Sequence, residues 1–77
     1  MVKPTRVSNT IRSLRFAHGE MTQADLAERV GATRQTVIAI EQGRYSPSLE
    51  MAFKIARAFN VPLGDVFQYP ESAEEPK

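Results

Sequence analysis

The apolar residues recur with the period of helices, and no segment alternates as a paired strand would. A first helix is marked by Ile11, Leu14 and His18, of which His18, without a partner at metal-ligand spacing, is expected to be a surface or loop histidine. Spacings of three and four residues place these side chains on one helical face. Because Ser and Asn favour helix starts and Gly favours helix ends, Ser8 or Asn9 is the predicted N-cap and Gly19 the predicted end.

Two short helices follow. Thr22, with Asp25 three residues later, resembles a capping box and predicts the start of a second helix, which Gly31 closes. Thr33 is the predicted cap of a third helix, which Gly43 ends in the left-handed conformation. The inward positions of the two helices are Leu26, Ala27, Val30, Val37, Ile40 and Glu41.

The apolar pattern continues into a fourth helix and a short fifth turn. Ser48 is the predicted cap of the fourth helix, Asn60 its end, and Pro62 opens the fifth turn. The inward positions are Leu49, Ala52, Ile55, Ala56 and Phe59, then Leu63, Val66 and Phe67. We therefore predict an all-α fold of five helices with a thin core, as expected for so short a chain.

Composition limits the kind of protein. Its 77 residues make one domain, which we divide into a flexible arm over 1–7, a folded domain over 8–69 and a disordered acidic tail over 70–77. The absence of cysteine excludes disulfides and Cys-based zinc sites. Because the sequence has one His, no Gly-rich phosphate loop and no convergent pair of acids, we expect no metal, no cofactor and no enzyme activity. No apolar run has the ~18 residues of a membrane span, so we expect a cytoplasmic protein.

The charge is unevenly distributed. The net charge is +1, but residues 1–69 carry nine basic and six acidic residues, and the tail carries one basic and three acidic residues. A mildly basic body permits binding to nucleic acid without requiring it.

The second and third helices are joined too tightly to lie antiparallel. They must cross steeply, which leaves one side of the third helix free to enter a DNA major groove. At about 100° per residue, the outward positions are Arg34, Gln35, Ile38, Ala39 and Gln42. Arg can bond guanine and Gln can bond adenine through two hydrogen bonds each, and Ala or Ile can pack on a thymine methyl group. This face is suited to reading bases.

The segment from Thr22 to Arg44 resembles the helix-turn-helix of the lambdoid phage repressor and Cro proteins, often called Xre-like. The matching residues are Thr22-Gln23-Ala24, Leu26-Ala27, Val30-Gly31, Thr33, Ile40-Glu41, Gly43, Ser46-Pro47-Ser48-Leu49 and Lys54-Ile55-Ala56. The likeness covers roughly residues 9–67 and is strongest to very short stand-alone regulators. It implies a compact, repressor-like DNA-binding domain whose helix-turn-helix is formed by helices 2 and 3.

The resemblance also implies roles for single residues. Arg34, Gln35 and Ala39 match base-reading positions, and the outward Ile38 either contacts a thymine or is incidentally exposed. The positions that match phosphate contacts are Gln23, Thr33, Gln42 and Arg44. Arg15 and Glu41 match a buried ion pair that joins the first helix to the end of the third. The loop around Gly19-Glu20-Met21 is one residue longer than the family pattern.

These features predict a transcriptional regulator, expected to be a repressor that binds a palindromic operator as a homodimer and associates with the nucleoid. The expected interface is the apolar surface of Leu63, Val66, Phe67 and Tyr69, although Phe67 and Tyr69 could instead end the core. We expect no membrane or small-molecule partner. The alternative is an antitoxin-type interaction protein that binds DNA and, through its acidic tail, a partner protein.

Overall fold

The computed structural model describes residues 5–70. Its helices are α1 (Ile11–Ala17), α2 (Gln23–Val30), α3 (Arg34–Glu41), α4 (Leu49–Phe59) and α5 (Leu63–Val66), and two short strands are β1 (Ser8–Asn9) and β2 (Phe67–Gln68). The predicted five-helix fold is confirmed. Residues 1–4 of the predicted arm and 71–77 of the predicted tail lie outside the described part of the chain.

The two strands correct the expectation that no segment would pair. β1 and β2 run antiparallel, with Ser8 opposite Gln68 and Asn9 opposite Phe67. Just beyond them, the Thr10 amide donates to the Val66 carbonyl at 2.9 Å. A two-residue strand is too short to produce the alternation by which strands are recognised in a sequence. The pairing fastens the start of the folded domain to its end.

Side-chain caps begin the three central helices at the predicted residues. Thr22 and Asp25 form a reciprocal capping box, in which each side chain accepts a hydrogen bond from the other residue's backbone amide. The hydroxyls of Thr33 and Ser48 each accept from the amide three residues later, at 3.1 Å. Each cap satisfies an amide that the first turn of a helix leaves without a backbone partner.

The first helix differs from its prediction at both ends. Its N-cap is Thr10 rather than Ser8 or Asn9, both of which lie in β1. Asn9 still contributes, because its Oδ1 accepts from the first amide of the helix at 3.1 Å. The helix ends at Ala17, before the predicted Gly19. His18 follows it and is exposed, as expected of a surface or loop histidine, with its ring centroid 5.3 Å from that of Phe59.

The core lies between the helices and is built from Met21, which was not predicted to be buried, and from the predicted inward apolar residues, with one exception. The largest fully buried side chains are Phe59, Ile11, Leu26, Ile40, Ile55, Val37 and Val66. The exception is Leu49, which is 67% exposed. At about 100° per residue, Leu49 lies about 70° around α4 from the centre of the helix's buried stripe. The half-exposed Phe53 lies on the same side of that stripe. In residues 5–70, no helix combines the length and apolar character needed to cross a membrane.

Candidate nucleic-acid interface

A tight turn sets the arrangement of α2 and α3. Gly31 ends α2 with a φ of 76°, a left-handed conformation that glycine adopts without the strain a Cβ would cause. The next amide, of Ala32, bonds back to the Ala27 carbonyl at 2.9 Å. Thr33 then caps α3, so only three residues separate the two helices. This connection is the turn of a helix-turn-helix.

The two sides of α3 have opposite character. Val37 and Ile40 are almost fully buried, and they fix the helix against the core. Arg34 and Gln35, in the first turn, are exposed, while Ile38 and Ala39 on the same side are half-buried. The predicted base-reading residues therefore share one accessible face, with its two longest polar side chains at the N-terminal end of the helix.

Arg15 and Glu41 meet beneath this face. Arg15 Nε donates to Glu41 Oε2 at 2.6 Å, and Arg15 Nη2 donates to Glu41 Oε1 at 3.2 Å. A third donor, Arg15 Nη1, bonds the Met21 carbonyl at 2.8 Å. Only 9% of each side chain in the pair is exposed. This contact through two hydrogen bonds links α1 to the last residue of α3. Because the pair is buried, removing one partner should cost more stability than it would at a surface ion pair.

Glu41 also holds a side chain of α2. Gln23 Nε2 donates to Glu41 Oε1 at 3.2 Å. One carboxylate thus connects the middle of α1, the first residue of α2 and the end of α3. The amide nitrogen of Gln23 has a second hydrogen, which this contact leaves available for another acceptor.

The other predicted phosphate-contacting residues lie at the two ends of α3. Thr33 is exposed, and its hydroxyl is already engaged with the Thr36 amide and hydroxyl. Gln42 is the exposed C-cap of α3, and Arg44 is exposed in the following loop. These positions flank the base-reading face on either side.

A groove of about 760 Å³ lies between α1 and the helix-turn-helix. Its lining includes the first residues of α2, both ends of α3 and the side of α1 that carries Arg12 and Phe16. Arg12 and Arg34 bring positive charge to this surface, and the guanidinium of Arg12 lies 5.5 Å from the centre of the Phe16 ring. Of the predicted DNA-contacting residues, the groove is lined by Gln23, Arg34 and Gln42.

Sequence reasoning missed the part played by Asn9. Its Nδ2 donates to the Ile40 carbonyl at 3.0 Å and, more weakly, to the Glu41 carbonyl at 3.5 Å. These carbonyls belong to the last turn of α3, beyond the regular hydrogen bonds of the helix, and the Ile40 carbonyl also accepts from the Gly43 amide at 3.0 Å. Asn9 therefore anchors the C-terminal end of α3 to β1, across a sequence separation that no local pattern could have indicated.

The predicted dimer surface needs a correction. Val66 is fully buried, so its side chain is unable to contact a partner. Leu63 and Phe67 are partly buried and pack against the core, and Phe67 also begins β2. Only Tyr69 of this set is strongly exposed, at 67%. The apolar residues at the end of the domain are therefore explained mainly by their packing in and against the core.

Metal binding has no candidate in the described part of the chain. No group of three or more His, Cys, Asp or Glu side chains in residues 5–70 is placed to hold an ion.

Comparison with known proteins identifies the family. A helix-turn-helix family model matches residues 11–66. HTH-type transcriptional regulators from Methanocaldococcus jannaschii and Bacillus subtilis are each 48% identical over 65 residues, which is 84% of this chain and 97% of theirs.

A transcriptional repressor of a cryptic phage in Vibrio cholerae, RstR, is 32% identical over 84% of this chain and 58% of its own length. A crystal structure of a candidate DNA-binding protein from Bacteroides fragilis superposes with a TM-score of 0.70 at 27% identity, covering 80% of this chain and 98% of that one. The three sequence relatives are described as transcriptional regulators. The chain belongs to the Xre-like, Cro/C1-type family of helix-turn-helix transcriptional regulators.

Proposed function

We propose that the protein is a repressor that binds a palindromic operator as a homodimer, in the cytoplasm and on the nucleoid. Each α3 enters a major groove and reads bases through Arg34, Gln35, Ile38 and Ala39. The observation that carries this proposal is the two-sided character of α3, whose buried side fixes the helix while Arg34 and Gln35 stay exposed. The likeness to the V. cholerae repressor supports repression rather than activation.

In this proposal the DNA phosphate backbone lies against the surface around α3. Gln23 lies at the start of α2, where unpaired amides and the helix dipole favour an anion. Its contact with Glu41 fixes the direction of the side chain before DNA arrives. Thr33, Gln42 and Arg44 supply the remaining contacts at the ends of α3. Such contacts set the register of the protein on the duplex, and the bases provide the specificity.

Two copies are required for a useful recognition site. One recognition helix reads only ~4–5 base pairs, so a dimer would place two such helices one helical turn (~34 Å) apart. Selection of binding sites from a random duplex pool tests this proposal. We expect two inverted half-sites whose centres lie about 10 base pairs apart. Enrichment of a single asymmetric half-site, or of no sequence, would contradict it.

Arg44→Ala should weaken binding to operator and to scrambled duplex about equally, because a phosphate contact carries no sequence information. The slope of log Kd against log salt concentration should fall by about one, since one fewer counterion is released. Titrations of both duplexes across a salt series measure this effect. Arg29→Ala is the control, because Arg29 is an exposed cation in the last turn of α2 to which the proposal assigns no DNA contact. Losses confined to the operator would place Arg44 among the base readers.

The alternative of an antitoxin adds a protein partner to DNA binding. It rests on the acidic composition of residues 70–77, nearly all of which lie outside the described part of the chain. Co-purification of a second protein that is lost when residues 71–77 are removed would support it over a regulator acting alone.

A further inference from the structure

A ridge of α4 exposes apolar surface that the fold does not use. Leu49 is 67% exposed and Phe53 is 50% exposed. They lie four residues apart and Arg57 follows four residues later, so the three side chains form one line along the helix. Glu50 and Lys54 lie along one side of that line, and the five residues together line a shallow depression. We call this surface the α4 ridge.

We propose that the α4 ridge is the contact surface for a second copy of this chain, with two α4 helices packed antiparallel about a two-fold axis near Phe53. The inference deepens the homodimer proposed above and rests on it. It assigns the contact to α4 in place of the surface around Tyr69.

The spacing of the ridge makes it complementary to itself. Antiparallel packing about an axis at Phe53 sets each Phe53 against the partner's Phe53. It also sets Leu49 against the aliphatic stem of the partner's Arg57, because the two positions lie equally far from the axis in sequence. Long Arg stems cover apolar surface while the charge remains in water. Rows of residues four apart interlock in this way in the commonest class of helix packing.

The charges of the ridge are complementary in the same orientation. Glu50 lies in the first turn of α4 and Arg57 in the last, so antiparallel helices bring each Glu50 towards the partner's Arg57. Within one chain these residues are about 10 Å apart along the helix axis, too far to pair. Glu50 is 3.9 Å from Lys54, but its side chain is 82% exposed. That contact stabilises the monomer little and leaves Glu50 available to a partner.

Sedimentation equilibrium of the full chain without DNA tests the surface. Phe53→Glu should raise the dimer Kd at least about tenfold, because it places two like charges at the axis. Tyr69→Glu, which changes the other exposed surface, should leave the Kd within about threefold of wild type. Both side chains are at least half exposed, so both variants should retain the wild-type helical circular dichroism. A wild type that is monomeric at about 100 µM, or a dimer that is lost in Tyr69→Glu and kept in Phe53→Glu, would overturn the proposal.

A charge exchange tests the antiparallel orientation. Glu50→Arg and Arg57→Glu should each weaken self-association about tenfold, since each creates like-charge pairs across the axis. An equimolar mixture of the two variants should associate nearly as well as wild type, because both cross-axis pairs then become Arg–Glu. These positions do not meet within one chain, so recovery on mixing has to arise between chains. A mixture that associates no better than the single variants would refute the antiparallel contact.

Binding to a duplex with one half-site separates this inference from the proposed function. Phe53→Glu leaves α3 unchanged and should bind one half-site as tightly as wild type. If wild type dimerises through the α4 ridge yet binds a half-site no better than scrambled DNA, the proposed function is wrong and the proposed dimer contact is supported. If half-site recognition is intact while all the variants of the α4 ridge dimerise normally, the proposed dimer contact is wrong and the proposed function is supported.

Discussion

Glu41→Ala should lower the free energy of unfolding by about 3–5 kcal/mol. The substitution leaves the guanidinium of Arg15 in a site where the residue is only 7% exposed, without the carboxylate that accepts two of its hydrogen bonds. A buried charge without its partner is costly because its lost hydration is no longer replaced. For a domain of this size, such a loss lowers the melting temperature by more than about 10 °C.

Urea denaturation followed by circular dichroism measures this loss. Glu28→Ala is the matched control, because it removes an exposed glutamate from α2 and should change stability by less than about 0.5 kcal/mol. Glu41→Gln should lose less stability than Glu41→Ala and more than Glu28→Ala, since an amide oxygen still accepts a hydrogen bond but the charge is lost. A Glu41→Ala protein that melts within about 2 °C of wild type would show that removing the carboxylate from the ion pair does not cost the stability predicted here.

Arg34→Ala and Gln35→Ala should each weaken binding to the operator by about 1–3 kcal/mol, with little change on scrambled duplex. Both side chains are exposed in the first turn of α3, where a helix in the major groove brings side chains to base edges. Truncation removes hydrogen bonds that only the correct base completes. Fluorescence anisotropy titrations of both duplexes at one salt concentration measure the difference. Equal losses on the two duplexes would move the residue concerned to the phosphate-contacting group.

The helices and the outward face of α3 were predictable because they depend on local chemistry. The caps at Thr22, Thr33 and Ser48 each act on an amide three residues away. The division of α3 into buried and exposed sides follows from its period of about 3.6 residues. The pairing of Arg15 with Glu41 spans 26 residues, and it was predicted only through the resemblance to a family.

The features that the sequence did not reveal depend on contacts between distant segments. β1 and β2 pair across almost the whole domain, and Asn9 bonds carbonyls 31 and 32 residues away. Neither contact produces a periodic pattern. Asn9 was interpreted as a helix cap because a short polar residue before an apolar stripe favours that role. Its Oδ1 does accept from the first amide of α1, but its Nδ2 also donates to the far end of α3.

Apolar residues at the boundary between core and surface were the other source of error. Leu49 was assigned inward and is exposed, while Val66 was assigned both to the inward positions and to the interface and is fully buried. Hydrophobicity alone does not distinguish these roles, because apolar residues are also common on protein surfaces. The choice depends on how far around its helix each residue lies, and on which elements the fold packs against it.

The proposed recognition of an operator depends above all on α3 reading base edges in the major groove. The direct test replaces each purine of the selected half-site in turn with its 7-deaza analogue, which removes the N7 acceptor that Arg and Gln bond. Wild type should lose affinity at particular purines, and Arg34→Ala or Gln35→Ala should be insensitive to the analogue at one of them. Such coupling would assign a side chain to a base. If the analogues leave wild-type affinity unchanged at every position, or weaken both variants as much as wild type, α3 does not read the major groove through these residues.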